Sequence, residues 1–376
     1  MTARAREMEA DLVRFISGAG WEEARARGAE AAFSDLAIRT FRIQCDAIPE
    51  YGAYARHVGR WPGRSGDWRE IPPVPSSAFK DHGLSAAPAP PAVTFETSGT
   101  TITRPGRVQL QSTRLYETSL LKSFARHILP DGARLKIIIF GPPRAESPRS
   151  SLWFMADRVA ARFCDAPSWI VEHGEPRWER ADAELTRSHD ERVPVLLLGT
   201  TLLLRAYVER CERKGLRFAL PPGSRAMDTG GAKGARVELR REDMAASVQR
   251  VLGIPPTHLV NEYGMAEMGS QFYEDTLLAG HERRPARSGF VIPPWVRTRV
   301  LDPETMLDLP EGRPGLLVHY DLANLDVPLA IQTEDVGAVA GNRLTLEGRL
   351  PEAERRGCSL PFEQFLERER GPDVPR

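Results

Sequence analysis

A hydroxyl-rich loop close to residue 100 has the composition of an anion-binding site. Residues 94–107 contain Gly99 among several Ser and Thr side chains, with Arg104 and Arg107 nearby. Gly99 allows the backbone to turn its N–H groups toward a phosphate, the hydroxyl groups add donors, and the arginines supply positive charge. The spacing of a Walker loop is absent, and without other support the stretch would be an ordinary surface turn. Apolar residues on both sides predict that it joins two short strands.

Further polar, glycine-containing stretches decide between these alternatives. They lie at residues 229–234, 261–267, 333–337 and 348–349. Residues 225–229 lead into the first of these stretches, and the second comes at the end of a strand predicted at 258–260. Because ligands of open α/β sheets bind at the carboxyl ends of strands, their positions favour a nucleotide site.

The composition is that of a globular protein with no general attraction for nucleic acid or membranes. The 376 residues are 41% hydrophobic, and 51 basic residues balance 51 acidic ones. Zero net charge gives no field that recruits nucleic acid or an anionic membrane. Four widely spaced cysteines form no disulfide or zinc pattern, no apolar stretch could span a bilayer, and the N-terminus lacks a signal core. We therefore expect a cytoplasmic protein without a nucleic acid partner or membrane insertion. Hydrolase and zinc-enzyme motifs are absent as well.

The periodicity of apolar residues predicts an α/β fold. Residues 1–60 have the spacing of amphipathic helices, and helical and buried-strand patterns then alternate between residues 115 and 260. A proline-rich passage at 71–80 predicts an extended connector over a domain surface, because each proline disfavours helix at the preceding residue. From residue 291, short alternating strands predict a small antiparallel barrel or sheet. These strands are expected at 296–301, 315–320, 336–340 and 343–347.

The polar stretches, in order and spacing, resemble the signature loops of the adenylate-forming enzymes, which include acyl-CoA synthetases, luciferases and peptide-synthetase adenylation domains. Residues 75–80, 264–273 and 356–360 more closely resemble the acyl-protein synthetases of the LuxE type. In bioluminescent bacteria that family supplies the synthetase component of the fatty-acid reductase complex. The resemblance covers most of residues 70–360. It implies the large-domain fold of adenylate-forming enzymes, with helix-flanked β-sheets, a small antiparallel β subdomain and a truncated C-terminal segment.

The same resemblance implies a domain organisation in chain order. A helical N-terminal part is followed by the α/β adenylating core, the small β subdomain and a short tail. The implied boundaries are 1–70, 71–290, 291–348 and 349–376.

The resemblance also implies an ATP site drawn from distant parts of the chain. The residues that would hold the β- and γ-phosphates are Thr97, Ser98, Gly99, Thr100 and Thr101. Gly230 and Gly231 would let the backbone approach the adenine, and Asn261 would lie near its amino edge. Tyr263, before the turn at Gly264, would stack on the adenine face. The alternative for Tyr263 is a core or turn aromatic.

Charged residues complete the implied site. Glu267 would be the ligand of Mg²⁺ that bridges the phosphates, since a hard carboxylate suits that ion. Asp335 would accept hydrogen bonds from the ribose hydroxyls, and Arg349 would steady the ribose or α-phosphate. Either could instead be a solvated surface charge. Lys233 would contact the substrate carboxylate or α-phosphate, although a loop lysine in water is an equal alternative. One departure from the superfamily is Ala266, where a Thr or Ser is usual.

Cys358 is the expected acceptor of the activated acyl group. A thiolate is a strong nucleophile, and Arg355 and Arg356 would lower the pKa of this thiol. The segment around it resembles the acylated tail of the acyl-protein synthetases. An ordinary buried or exposed thiol is the alternative, and Ser359 is a weaker competing nucleophile.

Together these features predict an ATP-dependent, AMP-forming ligase. It would activate a carboxylic acid, expected to be fatty, and load it on Cys358 for delivery to an acyl reductase or carrier. One alternative is an acyl- or aryl-CoA ligase, or a carrier-loading ligase, with an external acceptor. Another is a non-catalytic nucleotide-binding homologue.

Overall fold

A computed structural model describes residues 2–21, 27–63, 66–88, 90–97, 105–230 and 240–350. Its helices are α1 (Ala3–Gly18), α2 (Arg27–Ala47), α3 (Pro49–His57), α4 (Ala78–Asp81), α5 (Arg114–Ile128), α6 (Ser151–Phe163), α7 (Trp178–Glu191), α8 (Thr201–Lys214), α9 (Arg241–Leu252) and α10 (Thr276–His281). Its strands are β1 (Val74–Pro75), β2 (Val93–Glu96), β3 (Arg107–Leu110), β4 (Lys136–Phe140), β5 (Ser168–Trp169), β6 (Val171–Glu172), β7 (Glu175–Pro176), β8 (Val195–Thr200), β9 (Arg225–Thr229), β10 (Leu259–Tyr263), β11 (Phe272–Glu274), β12 (Phe290–Val291), β13 (Val296–Leu301), β14 (Gly315–Asp321), β15 (Ala330–Ala340) and β16 (Arg343–Arg349).

The chain forms two compact units. The first contains the described residues up to Leu120, residues 265–270 and the described residues from Val291 onward. The second contains the described residues between Leu121 and Gly264 and residues 271–290. The domain boundaries expected from the sequence remain a prediction.

The second unit is built on a mainly parallel sheet. Its strands lie in the order β11-β10-β9-β8-β4-β5, and β11 is the antiparallel member. The apolar runs of β4 and β8 are buried, as expected for strands covered on both faces. Thr200 caps the helix after β8 by accepting the N–H of Leu203, and Gly215 ends that helix in the left-handed conformation. The register aligns Thr200, Thr229 and Glu262, so β8, β9 and β10 present their carboxyl ends along one edge.

The first unit contains an antiparallel sheet of β13, β14, β15 and β16, in that order. The short strand β1 pairs in parallel with the first half of β15. Strands β2 and β3 form a separate antiparallel hairpin. The hairpin holds residues 93–96 opposite 107–110, so the predicted pair of strands around the hydroxyl-rich loop is confirmed.

The predicted α/β fold is confirmed, and the helices expected between residues 115 and 260 include α5, α6, α8 and α9. The strand predicted at 336–340 begins six residues earlier, at Ala330. Glu334 and Asp335 interrupt its apolar pattern in the sequence. Backbone pairing extends the strand to Ala330, because residues 330–332 pair with β14 and Asp335 pairs with Arg349 of β16.

The proline-rich passage at 71–80 is extended at β1, but the predicted surface location is wrong. Ile71 and Val74 have no exposed surface, and Phe79 retains 2%. The N–H of Ser76 donates to the carbonyl oxygen of Gln332 at 2.9 Å, which extends the pairing beyond Pro75. A proline without an N–H is tolerated in so short a strand because β1 pairs along one side only.

Candidate functional site

The base of the hydroxyl-rich loop is closed by Thr97. Its N–H donates to the carbonyl oxygen of Gly106 at 2.9 Å, and its Oγ1 accepts the N–H of Gly106 at 3.0 Å. The two residues therefore extend the β2–β3 ladder by one pair. The predicted phosphate contacts Ser98, Gly99, Thr100 and Thr101 lie outside the described residues.

In the second unit, the predicted adenine residues follow β9 and lie on β10. Gly230 has φ of +82°, a conformation that favours glycine, and it directly follows the last residue of β9. Asn261 and Tyr263 lie on β10. Because β9 and β10 are adjacent and parallel, the structure brings these positions to the same edge. Gly231 and Lys233 lie outside the described residues.

The side chain of Asn261 is held by a buried carboxylate. Its Nδ2 donates to Oδ2 of Asp228 at 3.0 Å and to the carbonyl oxygen of Asp228 at 3.1 Å. Asp228 has no exposed surface and also accepts Oγ1 of Thr201 and Nη1 of Arg241, each at 2.7 Å. Arg241 reaches Glu274 at 2.9 Å, and the same Glu274 carboxylate accepts the N–H of Asn261 at 2.8 Å.

This cluster, consisting of Thr201, Asp228, Arg241, Asn261 and Glu274, leaves the Oδ1 of Asn261 as the part of its amide suited to accept a hydrogen bond from a ligand. Sequence reasoning selected Asn261 and missed its partners. The signal that could have found Asp228 is an ionisable residue inside the buried strand pattern of β9.

The ring of Tyr263 is half-buried among aromatic residues of the second unit. Its centroid lies 5.5 Å from that of Phe272 and 5.9 Å from that of Phe290. The neighbouring Glu262 is buried and accepts the hydroxyl of Thr229. A Cβ at Gly264 would lie 2.5 Å from Oε1 of Glu262, so this turn needs a glycine unless that carboxylate moves.

In the first unit, a bulge in β15 orients Asp335. Leu316 pairs with Val336 and Val318 pairs with Gln332, so residues 333–335 together oppose Leu317. Thr333 closes the bulge, because its Oγ1 donates to the carbonyl oxygen of Leu317 and accepts the N–H of Asp335, both at 3.0 Å. Bulges of this kind redirect side chains beside functional sites.

Asp335 and Arg349 are directly opposite each other on β15 and β16. Nε of Arg349 donates to Oδ1 of Asp335 at 2.9 Å, and Nη1 of Arg349 lies 3.7 Å from Glu334. The structure thus brings together two residues that are 14 positions apart and that the sequence placed in one site.

Glu267 lies on the first unit, just after the chain passes from the second unit to the first between Gly264 and Met265. Glu267 is buried, with 6% of its surface exposed. The N–H of Met268 donates to the carbonyl oxygen of Met265 at 3.1 Å, which makes a tight turn around Glu267. Asn324 also contacts the backbone of this turn, donating from Nδ2 to the carbonyl oxygen of Glu267 at 2.8 Å.

Of the three cysteines within the described residues, two are buried and one is partly exposed to solvent. Burial raises the pKa of Cys45 to about 12 and also raises the pKa of Cys211, which has no exposed surface. Cys164 is partly exposed. Cys358 lies outside the described residues.

A family model for acyl-protein synthetase, LuxE, matches residues 63–367 of this sequence. The chain belongs to the LuxE acyl-protein synthetase family. The match confirms the family expected from residues 75–80, 264–273 and 356–360, and it includes Cys358.

Relatives of the LuxE family agree with this assignment. The chain is 23% identical over 314 residues to a long-chain-fatty-acid–luciferin-component ligase of Aliivibrio fischeri, covering 80% of this chain and 79% of the relative. It is also 23% identical over 243 residues to the protein of the same name from Vibrio harveyi, covering 61% and 60%.

Solved structures share the fold. An open conformation of 2-hydroxyisobutyryl-CoA ligase superposes with a TM-score of 0.65 at 16% identity, covering 87% of this chain and 76% of that one. The postadenylation state of the same ligase gives 0.64 at 14% identity, covering 86% and 68%. These likenesses show the large-domain fold expected from the sequence. The family match identifies the chain as an adenylate-forming ligase.

No helix among the described residues is long and apolar enough to cross a membrane. A cytoplasmic location stays a prediction.

Proposed function

We propose that this member of the LuxE family activates a carboxylic acid with MgATP and transfers the acyl group to Cys358. The observation that carries the proposal is the family match, which extends unbroken from the hydroxyl-rich loop to the segment around Cys358. A fatty acid is the proposed substrate because both relatives are named as long-chain-fatty-acid ligases.

Separate groups of residues bind the phosphates and the adenine of the nucleotide. Backbone and hydroxyl groups of Thr97, Ser98, Gly99, Thr100 and Thr101 donate to the β- and γ-phosphates. Tyr263 stacks on the adenine, and Gly230 and Gly231 allow the backbone to approach it. Oδ1 of Asn261 accepts from the adenine amino group, since its Nδ2 is occupied by Asp228.

The ribose is bound by the carboxylate of Asp335, which accepts hydrogen bonds from the ribose hydroxyls and whose Oδ1 also pairs with Arg349. An ionised carboxylate makes the stronger hydrogen bonds expected for a nucleotide anchor. Arg349 is 41% exposed at its side chain and therefore retains donors for a phosphate oxygen.

The residues present suit a magnesium ion that arrives with the nucleotide. Glu267 offers a buried, hard carboxylate oxygen, and the described residues contain no group of three ionisable side chains that would form a cage for a metal by itself. Mg²⁺ is usually held by one or two carboxylates together with substrate phosphates. When bound, it would neutralise charge on the phosphates during displacement.

Adenylation proceeds by attack of a substrate carboxylate oxygen on the α-phosphorus of ATP. A new phosphorus–oxygen bond forms, the bond from the α-phosphorus to the oxygen bridging it to the β-phosphorus breaks, and pyrophosphate leaves. Lys233 and Arg349 lower the repulsion between the carboxylate and the phosphate. The protein therefore contributes chiefly by positioning the two anions and stabilising developing charge.

Transfer follows by attack of the Cys358 thiolate on the acyl carbon of the adenylate. The carbon–oxygen bond to AMP breaks, AMP leaves, and a thioester remains on Cys358. Arg355 and Arg356 favour the thiolate form. The thioester is then available to an acyl reductase or an acyl carrier.

Intact-protein mass spectrometry tests the proposal. Wild type, Cys358→Ala and Cys164→Ala are incubated with MgATP and a panel of fatty and aryl acids. We expect an acyl adduct, released by hydroxylamine, on wild type and on Cys164→Ala but not on Cys358→Ala. Cys164 is the matched control because it is a partly exposed cysteine.

An adduct that persists in Cys358→Ala would overturn the role of Cys358. AMP formation without any protein adduct would instead favour a ligase with an external acceptor, such as coenzyme A or a carrier thiol. Absence of acid-dependent exchange between pyrophosphate and ATP would favour a non-catalytic nucleotide-binding protein.

A further inference from the structure

The side-chain amide of Asn324 is bonded to the turn that carries Glu267. Its Nδ2 donates to the carbonyl oxygen of Glu267 at 2.8 Å, and its Oδ1 accepts the N–H of Gly269 at 2.9 Å. The same Nδ2 donates to the carbonyl oxygen of Pro328 at 3.2 Å. The Asn324 residue is only 3% exposed. Backbone groups occupy three of the four hydrogen-bonding positions of its buried amide.

Gly269 and Ser270, which follow Glu267, contact residues at and after the end of β14, and Ser270 also contacts Trp295. Oγ of Ser270 donates to Oδ1 of Asp321 at 2.7 Å and accepts Nε1 of Trp295 at 3.0 Å. A Cβ at Gly269 would lie 2.8 Å from Cβ of Ala323 and 2.9 Å from its carbonyl oxygen. The backbone of the turn therefore lies in close contact with the residues that follow β14.

Asn324 is in turn held by an amide from helix α2. Nε2 of Gln44 donates to the carbonyl oxygens of Asn324 and Leu325 at 3.1 and 3.2 Å, and also to that of Val327. Oε1 of Gln44 accepts the N–H of Leu329 at 3.1 Å. Gln44 has no exposed surface, so the loop at 324–329 is fixed from its inner side.

We infer that Asn324 is a positioning residue that orients the Glu267 carboxylate for its metal. The inference rests on the proposed function, in which Glu267 is the protein ligand of the magnesium ion. Asn324 bonds the carbonyl oxygen of Glu267 and the N–H of Gly269, and these two bonds hold the backbone from which the Glu267 side chain extends. Groups that orient a metal ligand in this way typically influence metal affinity by roughly 10–100-fold.

Two substitutions of Asn324 remove hydrogen bonds of its amide without introducing a larger side chain. Asn324→Asp keeps an acceptor for Gly269 but turns a second oxygen toward the carbonyl oxygens of Glu267 and Pro328. Asn324→Ser removes the amide without adding charge. Glu267→Gln removes the proposed metal ligand itself. Phe41→Leu is the control for a general loss of stability. Phe41 is a fully buried residue of α2, and its ring centroid lies 5.5 Å from that of Tyr51.

The measured quantity is the factor by which Mn²⁺ tightens binding of α,β-methylene-ATP, obtained by calorimetry with Mn²⁺ and with EDTA. This ratio reports coupling between metal and nucleotide and does not require turnover. We expect both Asn324 variants to reduce the ratio by about tenfold or more, with metal-free binding near that of wild type. Glu267→Gln should reduce the ratio at least as far, and Phe41→Leu should leave it unchanged.

The outcomes separate the inference from the proposed function. If Glu267→Gln lowers the ratio and both Asn324 variants keep it, Asn324 does not position the ligand, and the role of Glu267 stands. If Glu267→Gln keeps the ratio, the proposed role of Glu267 fails and the inference fails with it. Equal losses of metal-free and metal-loaded binding in both Asn324 variants would indicate a general structural role and would also overturn the inference.

Discussion

Replacing Asp228 by asparagine should destabilise the second unit and loosen the proposed adenine contact. The carboxylate has no exposed surface, and three side chains donate to it: Thr201, Arg241 and Asn261. The amide of Asp228→Asn is nearly the same size, but it offers one acceptor oxygen and presents its N–H groups toward donors. At least one of the three donors must lose its bond.

The contacts bound the size of the effect. A hydrogen bond to a charged group contributes about 1.5–3 kcal/mol. Removing one partner of a buried ion pair costs about 3–5 kcal/mol when the other charge is left uncompensated. Here Arg241 keeps its bond to Glu274 at 2.9 Å, so its charge stays paired. We therefore expect Asp228→Asn to lower the free energy of unfolding by about 2–3 kcal/mol.

The assay is urea unfolding of Asp228→Asn beside Asp243→Asn, followed by ATP binding. Asp243 is a matched control because its pair with Arg240 lies at the surface, with side chains 59% and 73% exposed. Such pairs contribute about 0–1 kcal/mol. ATP binding should weaken several-fold in Asp228→Asn, since Asn261 loses its anchor. Equal unfolding midpoints for the two variants would refute the role assigned to this carboxylate.

The remaining predictions concern the first unit. Gly337→Ala should destabilise it by about 1–3 kcal/mol, since the new Cβ would lie 2.1 Å from the carbonyl oxygen of Thr345. The control Gly280→Ala, in open space on α10 of the second unit, should not lower the temperature of thermal unfolding, because alanine favours a helix over glycine. Equal losses of stability in the two variants would contradict this. Asp335→Ala should abolish the preference for ATP over 2′-deoxy-ATP in binding measurements, and a retained preference would exclude Asp335 as the ribose ligand. Burial lowers the pKa of His319 from 6.5 to about 4. As the pH falls, His319 is therefore protonated in the unfolded state before it is protonated in the folded state. About 3 kcal/mol of folding stability, present above pH 6.5, is lost as the pH falls toward 4. His319→Asn should flatten that loss, and an unchanged pH profile would contradict the assignment.

Much of the local structure could be predicted because its causes lie within a few residues. Thr200 and Gly215 bound α8 by capping and by a left-handed conformation, and both signals are adjacent to the helix they end. The hairpin around the hydroxyl-rich loop was predictable for the same reason. Its strands are separated by a short, polar, glycine-containing segment.

The ionisable residues of the site were harder to predict, because the sequence does not show whether a charged residue in a strand is buried or exposed. Asp228 and Asp335 both interrupt apolar patterns. The first is buried inside a cluster of donors, and the second sits in a bulge opposite Arg349. Burial and cross-strand register determine these environments, and neither is visible in the neighbouring residues.

By itself, the sequence of this protein determined the order and spacing of the nucleotide-site motifs, the α/β alternation and the membership of the LuxE family. The tertiary structure alone decided which residues hold those motifs in place. Gln44 bonds Asn324 across 280 positions of the chain, and Asn324 bonds Glu267 across 57. Amides at such separations carry no local pattern, because their partners are backbone groups that meet only after strands and helices have packed.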